Sequence, residues 1–179
     1  MSQDNYIIKL LNIKDKNIKF LKDFYSEKKI KGITYKIITG YLSYKPSFCP
    51  KCGCVFNEEQ TYEKNGFKSS DILMLDICGY GCKLRLKKQR FKCHLCNKKF
   101  FNNTSIVNEG SFISNDVKYA IALDLKNKIS EKDIAKRYNV SPNIVERIID
   151  SHYLKKKLYQ NYLPEVLLFD EFKSVKSAD

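Results

Sequence analysis

The sequence has no apolar stretch approaching the roughly 20 residues needed to span a bilayer, which argues against a membrane protein. Its N-terminus, MSQDNYIIKLLNIKDKN, carries charges through its apolar part and so lacks the uninterrupted core of a signal peptide. Over 179 residues, 43% hydrophobic and 13% aromatic residues supply enough apolar material for one or two small folded domains. We therefore expect a soluble protein of the cytoplasm.

Acidic residues are scarce relative to basic ones, 20 against 33, and the formal net charge is +13. Between residues 83 and 99 there is no acidic residue at all. The basic residues of this segment are Lys83, Arg85, Lys87, Lys88, Arg90, Lys92, Lys98 and Lys99. Clustering of one charge sign on this scale predicts a polyanionic partner.

The seven cysteines are an odd number, so they cannot all form disulfides within one chain. In a reducing compartment they favour a metal site. Two pairs of equal spacing, Cys49-Pro-Lys-Cys52 and Cys93-His-Leu-Cys96, are separated by forty residues. Together they offer four soft ligands for tetrahedral Zn²⁺ and leave no open position for a substrate, so we expect the zinc to be structural.

Four other residues near these pairs have open roles. Cys54 is either a free buried thiol or a competing ligand. Cys78 and Cys82 are either free thiols or a second site with only two ligands. The side chain of His94, inside the second pair, is expected to point away from the ion.

The chain before and between the pairs suggests a helical start followed by strands. Apolar spacing in the first thirty residues fits one or two short amphipathic helices, and ITYKIITGYLSY (33–44) fits a strand or hairpin, giving an N-terminal region over 1–48. Within a zinc-binding, β-rich domain over 49–104, DILMLDI and KLRLKKQRFKC predict antiparallel strands around a glycine turn. Leu84 and Leu86 alternate with Arg85 and Lys87, so the basic residues should line an exposed face of a separate small sheet.

Residues 111–153 predict an all-helical helix-turn-helix domain. In EKDIAKRYNVSPNIVERIID, the apolar residues fall where two crossing helices bury their inner faces. Asn139 tolerates the left-handed backbone of the turn, Ser141 suits the N-cap and Pro142 suits the first helical position. We expect helices over about 131–138 and 142–152; the alternative is an ordinary helical hairpin without a DNA partner.

Double-stranded DNA is the partner that this pattern predicts. A recognition helix presents the exposed residues of its N-terminal part to base edges, which here are Ser141, Pro142, Asn143, Glu146 and Arg147. Asn143 is suited to adenine, and Arg147 to guanine or phosphate. Further DNA contacts are expected from Lys87, Lys88 and Arg90 in the zinc segment and from Lys155 and Lys156 after the helix.

The predicted fold class is therefore α+β: N-terminal helices, a small zinc-stapled β-rich domain and an all-helical helix-turn-helix domain. In this order CPKC, LRLKKQRFKCHLC, EKDIAKRYNVSPNIVERIID and LPEVLLFDEFKSVKSAD resemble the ISL3 family of insertion-sequence transposases over nearly the whole chain. The resemblance implies that residues 154–179 are a linker and the first strand of a ribonuclease-H-like catalytic domain. It also implies that Asp170 is the first carboxylate of an Asp-Asp-Glu triad that holds divalent metal such as Mg²⁺ in a full-length enzyme.

The sequence departs from the family by stopping at Asp179, so the other two carboxylates of the triad are missing from it. We expect no strand transfer by this chain alone, because two-metal chemistry needs several converging carboxylates. The expected function is recognition of the terminal inverted repeats of a transposon, in the nucleoid, by a monomer or a homodimer. The alternatives are a domesticated transcriptional regulator, a nuclease that borrows carboxylates from a partner chain, and a zinc-dependent protein-interaction module.

Overall fold

A long β-sheet with helices on both faces forms the body of the protein. The computed structural model describes residues 3–57, 61–127 and 129–152. In chain order the elements are α1 (Gln3–Leu10), β1 (Ile18–Ile30), β2 (Ile33–Leu42), β3 (Tyr62–Ile77), β4 (Tyr80–Cys93), β5 (Lys99–Phe101), α2 (Asn115–Asp124), α3 (Glu131–Arg137) and α4 (Pro142–His152). No helix among these is long and apolar enough to cross a bilayer.

The four long strands lie in the order β1-β2-β4-β3. Strands β1–β2 and β3–β4 pair antiparallel, whereas β2 pairs parallel with β4, from Tyr35 opposite Gly81 to Leu42 opposite Lys88. Strand β5 pairs with β4 at Arg90–Lys92, beyond the end of β2. The expectation of a separate sheet between the cysteine pairs is wrong, because β4 needs a partner on both edges and the N-terminal strand β2 supplies one.

The N-terminal region has one helix rather than two, and the second half of the predicted helical stretch is strand β1. Ile18 and Phe20 are buried while Lys19 and Leu21 are exposed, which is the two-residue alternation of a strand. Pairing with β2 favours the strand conformation of β1. The buried residues of β1 then pack in the same core as Ile38 and Leu42 of β2. The predicted strand over 33–44 is present as β2.

Two hairpins build the sheet, and both have two-residue turns. Lys31 and Gly32 connect β1 to β2, and Cys78 and Gly79 connect β3 to β4; all four residues have positive φ. Turns of this kind match the right-handed twist of the flanking strands. The β3–β4 turn therefore begins one residue earlier than the glycine-rich sequence suggested, and Gly81 lies within β4.

Strand β4 separates two cores. Its even-numbered residues Cys82, Leu84 and Leu86 are fully buried and pack with β1, with Ile7 and Leu11 of the α1 region, and with Val107. We call this the first core. On the opposite face Tyr35, Ile37 and Leu73 pack against the three C-terminal helices in the second core. The sheet thus carries α1 on one face and α2–α4 on the other.

The alternation in β4 generates a direct test of the fold. Leu86→Ala removes a fully buried side chain from the first core and should lower the free energy of unfolding by about 2–5 kcal/mol. Lys87→Ala, one residue away on the opposite face, should lower it by less than about 1 kcal/mol. Urea denaturation followed by circular dichroism measures both, and equal losses would contradict the described strand orientation.

Candidate zinc centre and nucleic-acid interface

The first cysteine pair lies in a tight turn inside a short hairpin. Phe48 bridges Val55, and the backbone N–H of Cys49 donates to the carbonyl of Cys54 at 2.8 Å. Gly53 has φ of 75° and donates to the carbonyl of Cys49 at 2.8 Å. A backbone N–H also reaches sulfur, since Lys51 donates to Cys49 Sγ at 3.4 Å. The turn therefore presents the sulfur of Cys49 in a fixed position.

The second pair has the same local design at the end of β4. The backbone N–H of Cys93 donates to the carbonyl of Lys98 at 3.1 Å, and Asn97 has φ of 55°. Both pairs are thus followed by a residue with left-handed backbone, Gly53 after the first and Asn97 after the second. Sequence reasoning missed this feature, although glycine and asparagine at that position are its signal.

The four sulfurs fit a tetrahedral Zn²⁺ site. All four ligand atoms of Cys49, Cys52, Cys93 and Cys96 lie within 4.8 Å of one another. The Sγ atoms of Cys49 and Cys96 are 3.8 Å apart, and those of Cys52 and Cys93 are 3.9 Å apart. Four sulfurs at about 2.3 Å from a tetrahedral zinc ion are separated by about 3.8 Å. The predicted ligands are therefore brought together with the spacing that the ion requires.

An aromatic cluster supports this centre, and we call it the third core. Phe91 and Phe100 stack at 5.6 Å, and Phe56 contacts Tyr62 and Phe100 at 4.7 and 5.9 Å between ring centroids. Buried Cys49 and Cys93 join this cluster, whereas Cys52 is exposed. The cluster is small, so a metal that cross-links its two turns is expected to contribute much of its stability.

Backbone donors also set the chemistry of Cys93. The backbone N–H of Cys96 points at the Cys93 sulfur and lowers the pKa of this thiol to about 6, although desolvation acts in the opposite direction. Cys93 is therefore largely a thiolate at neutral pH, the form that binds metal.

The remaining cysteines and His94 lie in different environments. Cys54 Sγ is 3.5 Å from Cys93 Sγ and 3.4 Å from Cys52 Sγ. Cys82 is buried in the first core, where desolvation raises the pKa of its thiol to about 11, and Cys78 is exposed in the β3–β4 turn. The backbone N–H of His94 donates to the carbonyl of Thr61 at 3.0 Å, which ties the second turn to the start of β3.

Helices α3 and α4 meet at the turn that the sequence predicts. Ser130 caps α3 by accepting from the backbone N–H of Asp133 at 3.2 Å, and Asn139 has φ of 54°. The carbonyl of Ser141 accepts from Ile144 at 2.9 Å and begins α4. The inner faces bury Ile134, Ala135, Val145 and Ile148. The predicted base-contacting residues are all exposed: Ser141, Pro142, Asn143, Glu146 and Arg147.

Asp124, at the end of α2, holds the helices together, and sequence reasoning missed it. Its carboxylate accepts from Arg137 at 2.7 Å and from the Tyr138 hydroxyl at 3.0 Å. Desolvation and this hydrogen bond raise the pKa of Tyr138 to about 12. An acidic residue thirteen positions before an arginine carries no recognisable sequence signal, because the contact depends on how α2 packs.

A shallow surface with basic residues lies on the sheet face that carries α2–α4, in the part that these helices leave uncovered. Thr39, Tyr41, Arg85 and Lys87 line it, beside residues 21–24 of β1, and we call it the basic groove. Lys87 donates to the Tyr41 hydroxyl at 3.0 Å, and its amine lies 4.9 Å from the centroid of that ring. Arg85 makes two bonds to Asp71, at 2.8 and 2.9 Å, which hold the pKa of this carboxyl below its usual range.

Comparison with known protein families identifies two consecutive segments of the chain. Residues 45–96 match the family described as the zinc-finger of transposase IS204/IS1001/IS1096/IS1165. Residues 103–153 match the helix-turn-helix domain of transposase family ISL3. The chain carries the zinc-binding and DNA-binding domains of an ISL3 transposase. Searches of curated proteins and of solved structures gave no significant match.

The ISL3 zinc-binding domain does not present its predicted DNA contacts on one face. Lys87 lies in the basic groove, whereas Lys88 and Arg90 alternate with it and lie on the other side of β4. Lys88 is half-buried, and desolvation lowers the pKa of its amine; the guanidinium of Arg90 donates to the carbonyl of Asn65 at 2.6 Å. Lys155, Lys156 and Asp170 lie outside the described residues.

Removal of the metal tests the proposed dependence of the third core on zinc. A chelator that strips the ion should abolish the dispersed NMR signals of Phe56, Phe91 and Phe100, because these rings pack against the bound cysteines. Helices α2–α4 pack in the second core and should respond less. His94→Ala is the control and should keep its zinc; unchanged ring signals after metal loss would contradict a structural role for the ion.

Proposed function

We propose that the zinc-binding domain and the helix-turn-helix bind one duplex together, at the terminal inverted repeats of a transposon. The observation that carries this proposal is the continuity of β4. On a single face, this strand carries Lys83 beside the second core, then Arg85 and Lys87 in the basic groove, then Phe91 and Cys93 in the zinc centre. The two domains are thus attached to one sheet, in which β4 carries cationic residues between the second core and the zinc centre.

The length of β4 suits duplex DNA. Cys93 lies ten positions after Lys83, which corresponds to roughly 33 Å in an extended strand. One turn of B-DNA measures about 34 Å. A protein that contacts DNA at both ends of β4 would therefore meet the same side of the duplex at positions one turn apart, with the basic groove facing the backbone between them.

The side chains of α4 and those of β4 suit different parts of the DNA. The exposed N-terminal residues of α4 include an amide and a guanidinium, which suit adenine and guanine edges in the major groove. The lysines and Arg85 along β4 are suited to phosphate, so they contribute affinity without sequence preference. We infer that sequence is read by α4 and that the zinc-binding domain fixes the register and orientation of the protein on DNA.

Salt dependence distinguishes this function from a protein-interaction module. If roughly six phosphates are neutralised, a plot of the logarithm of affinity against the logarithm of salt concentration should have a slope of about −5. Binding should also favour genomic DNA that flanks the gene over random duplex. Equal affinity for both duplexes would contradict recognition of the terminal repeats. Tight binding to an acidic protein, without binding to DNA, would favour the protein-interaction module.

Substitutions in α4 test whether it reads sequence. Asn143→Ala and Arg147→Ala should each weaken binding to the preferred duplex by about 1–3 kcal/mol while changing binding to random duplex much less. Lys16→Ala is the matched control: it removes one positive charge at an exposed position in the α1–β1 loop. Electrophoretic mobility shifts on both duplexes measure the effect, and an equal loss on the two would assign these side chains to phosphate.

The ion pair of Asp71 with Arg85 generates a prediction of increased affinity. Asp71→Asn removes a negative charge beside the basic groove and releases the Arg85 guanidinium from its two charged bonds. We expect DNA to bind about fivefold more tightly at low salt, on the order of 1 kcal/mol, with the gain lost at high salt. Asp15→Asn, in the α1–β1 loop, is the control, and an affinity gain in both variants would exclude a specific role for the groove.

A further inference from the structure

The zinc centre contains a fifth sulfur that the four-ligand site does not use. Cys54 stands outside the set of four whose ligand atoms all lie within 4.8 Å of one another. Its Sγ nevertheless lies 3.5 Å from Cys93 Sγ and 3.4 Å from Cys52 Sγ. These separations are close to the roughly 3.8 Å expected between two thiolates on one zinc ion.

Cys52 and Cys54 approach the site at the same corner. Cys52 Sγ is 3.9 Å from Cys93 Sγ, and Cys54 Sγ is 3.5 Å from the same atom. Cys52 is the exposed member of the ligand set, whereas Cys54 is half-buried and packs against the third core. The better protected sulfur is therefore the one that the four-ligand set leaves out.

The backbone of Cys54 is held independently of the ion. Its carbonyl accepts from the Cys49 N–H at 2.8 Å, and the next residue, Val55, bridges Phe48 across the short hairpin. Gly53, between the two cysteines, has open space around its Cα and a positive φ. The hairpin therefore keeps Cys54 beside Cys93 without help from Cys52, whose own side chain is exposed.

We propose that Cys54 is a reserve zinc ligand that replaces Cys52. In the exchange, the bond from Cys52 to the ion breaks and a bond from Cys54 forms, and one proton passes from the Cys54 thiol to the Cys52 thiolate. The site keeps four thiolates and the same charge. When the exposed Cys52 is alkylated or oxidised and cannot accept this proton, the Cys54 proton passes to water, and the site still holds the ion with four thiolates. Retention of the metal protects the third core and the end of β4.

Alanine variants distinguish a reserve ligand from a cysteine that never binds the ion. Cys52→Ala and Cys54→Ala should each retain about one zinc ion per chain and, after exchange with Co²⁺, the charge-transfer absorption of a four-thiolate site. The double variant should lose the four-thiolate spectrum. Cys96→Ala is the matched control and should lose it alone, because Cys54 lies beside Cys52 and Cys93 while Cys96 contacts Cys49.

Two results would overturn the proposal. A three-thiolate spectrum in Cys52→Ala, equal to that of the double variant, would show that Cys54 does not take its place. Loss of zinc in Cys54→Ala would show an obligatory ligand rather than a reserve. Circular dichroism of each variant establishes whether the rest of the sheet is folded.

Alkylation of the unmodified protein gives a second test that needs no variant to fold. The zinc-loaded chain is treated with iodoacetamide and examined by native mass spectrometry, with sites assigned by fragmentation. Chains modified at Cys52 should retain zinc, and Cys54 should remain unmodified in them. Modification of exposed Cys78 serves as the internal control for reagent access. Zinc loss that accompanies every Cys52 modification would contradict the exchange.

Discussion

The two-residue alternation of β4 is the constraint on which the rest of the structure depends. One side of the strand seals the first core through Leu84 and Leu86, and the other presents Arg85 and Lys87 to solvent. Because β4 is paired on both edges, its register fixes the sheet as a whole. A shift by one residue would bury the cations and expose the leucines. The strand therefore specifies the core and the basic surface together.

The zinc centre and the helices depend on this strand in different ways. Cys93 terminates β4, so the metal joins the end of the sheet to the first cysteine turn through a small aromatic core. Helices α2–α4 pack on β2 and β3 instead, where Tyr35, Ile37 and Leu73 complete the second core. Since both attachments are on one hydrogen-bonded sheet, the separation between the zinc centre and the helices is set by the sheet rather than by a flexible linker. This is the property that a two-point contact with DNA requires.

Local features were predictable from the sequence, and long-range ones were not. The two Cys-X-X-Cys turns, the turn at Asn139 and the β3–β4 hairpin each depend on a few neighbouring residues, and the structure has all of them, with the hairpin turn one residue earlier than expected. The apolar spacing predicts helix where the structure has β1, because short apolar runs fit both periods until a partner strand is known. The parallel pairing of β2 with β4 joins segments about fifty residues apart, with no local signal. For the same reason no local pattern predicts that Lys88 and Arg90 lie apart from Lys87, or that Asp124 bonds to Arg137 and Tyr138.

We propose that the zinc-binding domain, at one end of β4, and the helix-turn-helix, at the other, contact one duplex together. Hydroxyl-radical footprinting of the zinc-loaded protein on genomic DNA that flanks its gene tests this most directly. We expect two protected patches on the same side of the duplex, about one helical turn apart, and loss of one patch when zinc is removed. A single patch over the site read by α4, unchanged by removal of zinc, would contradict it.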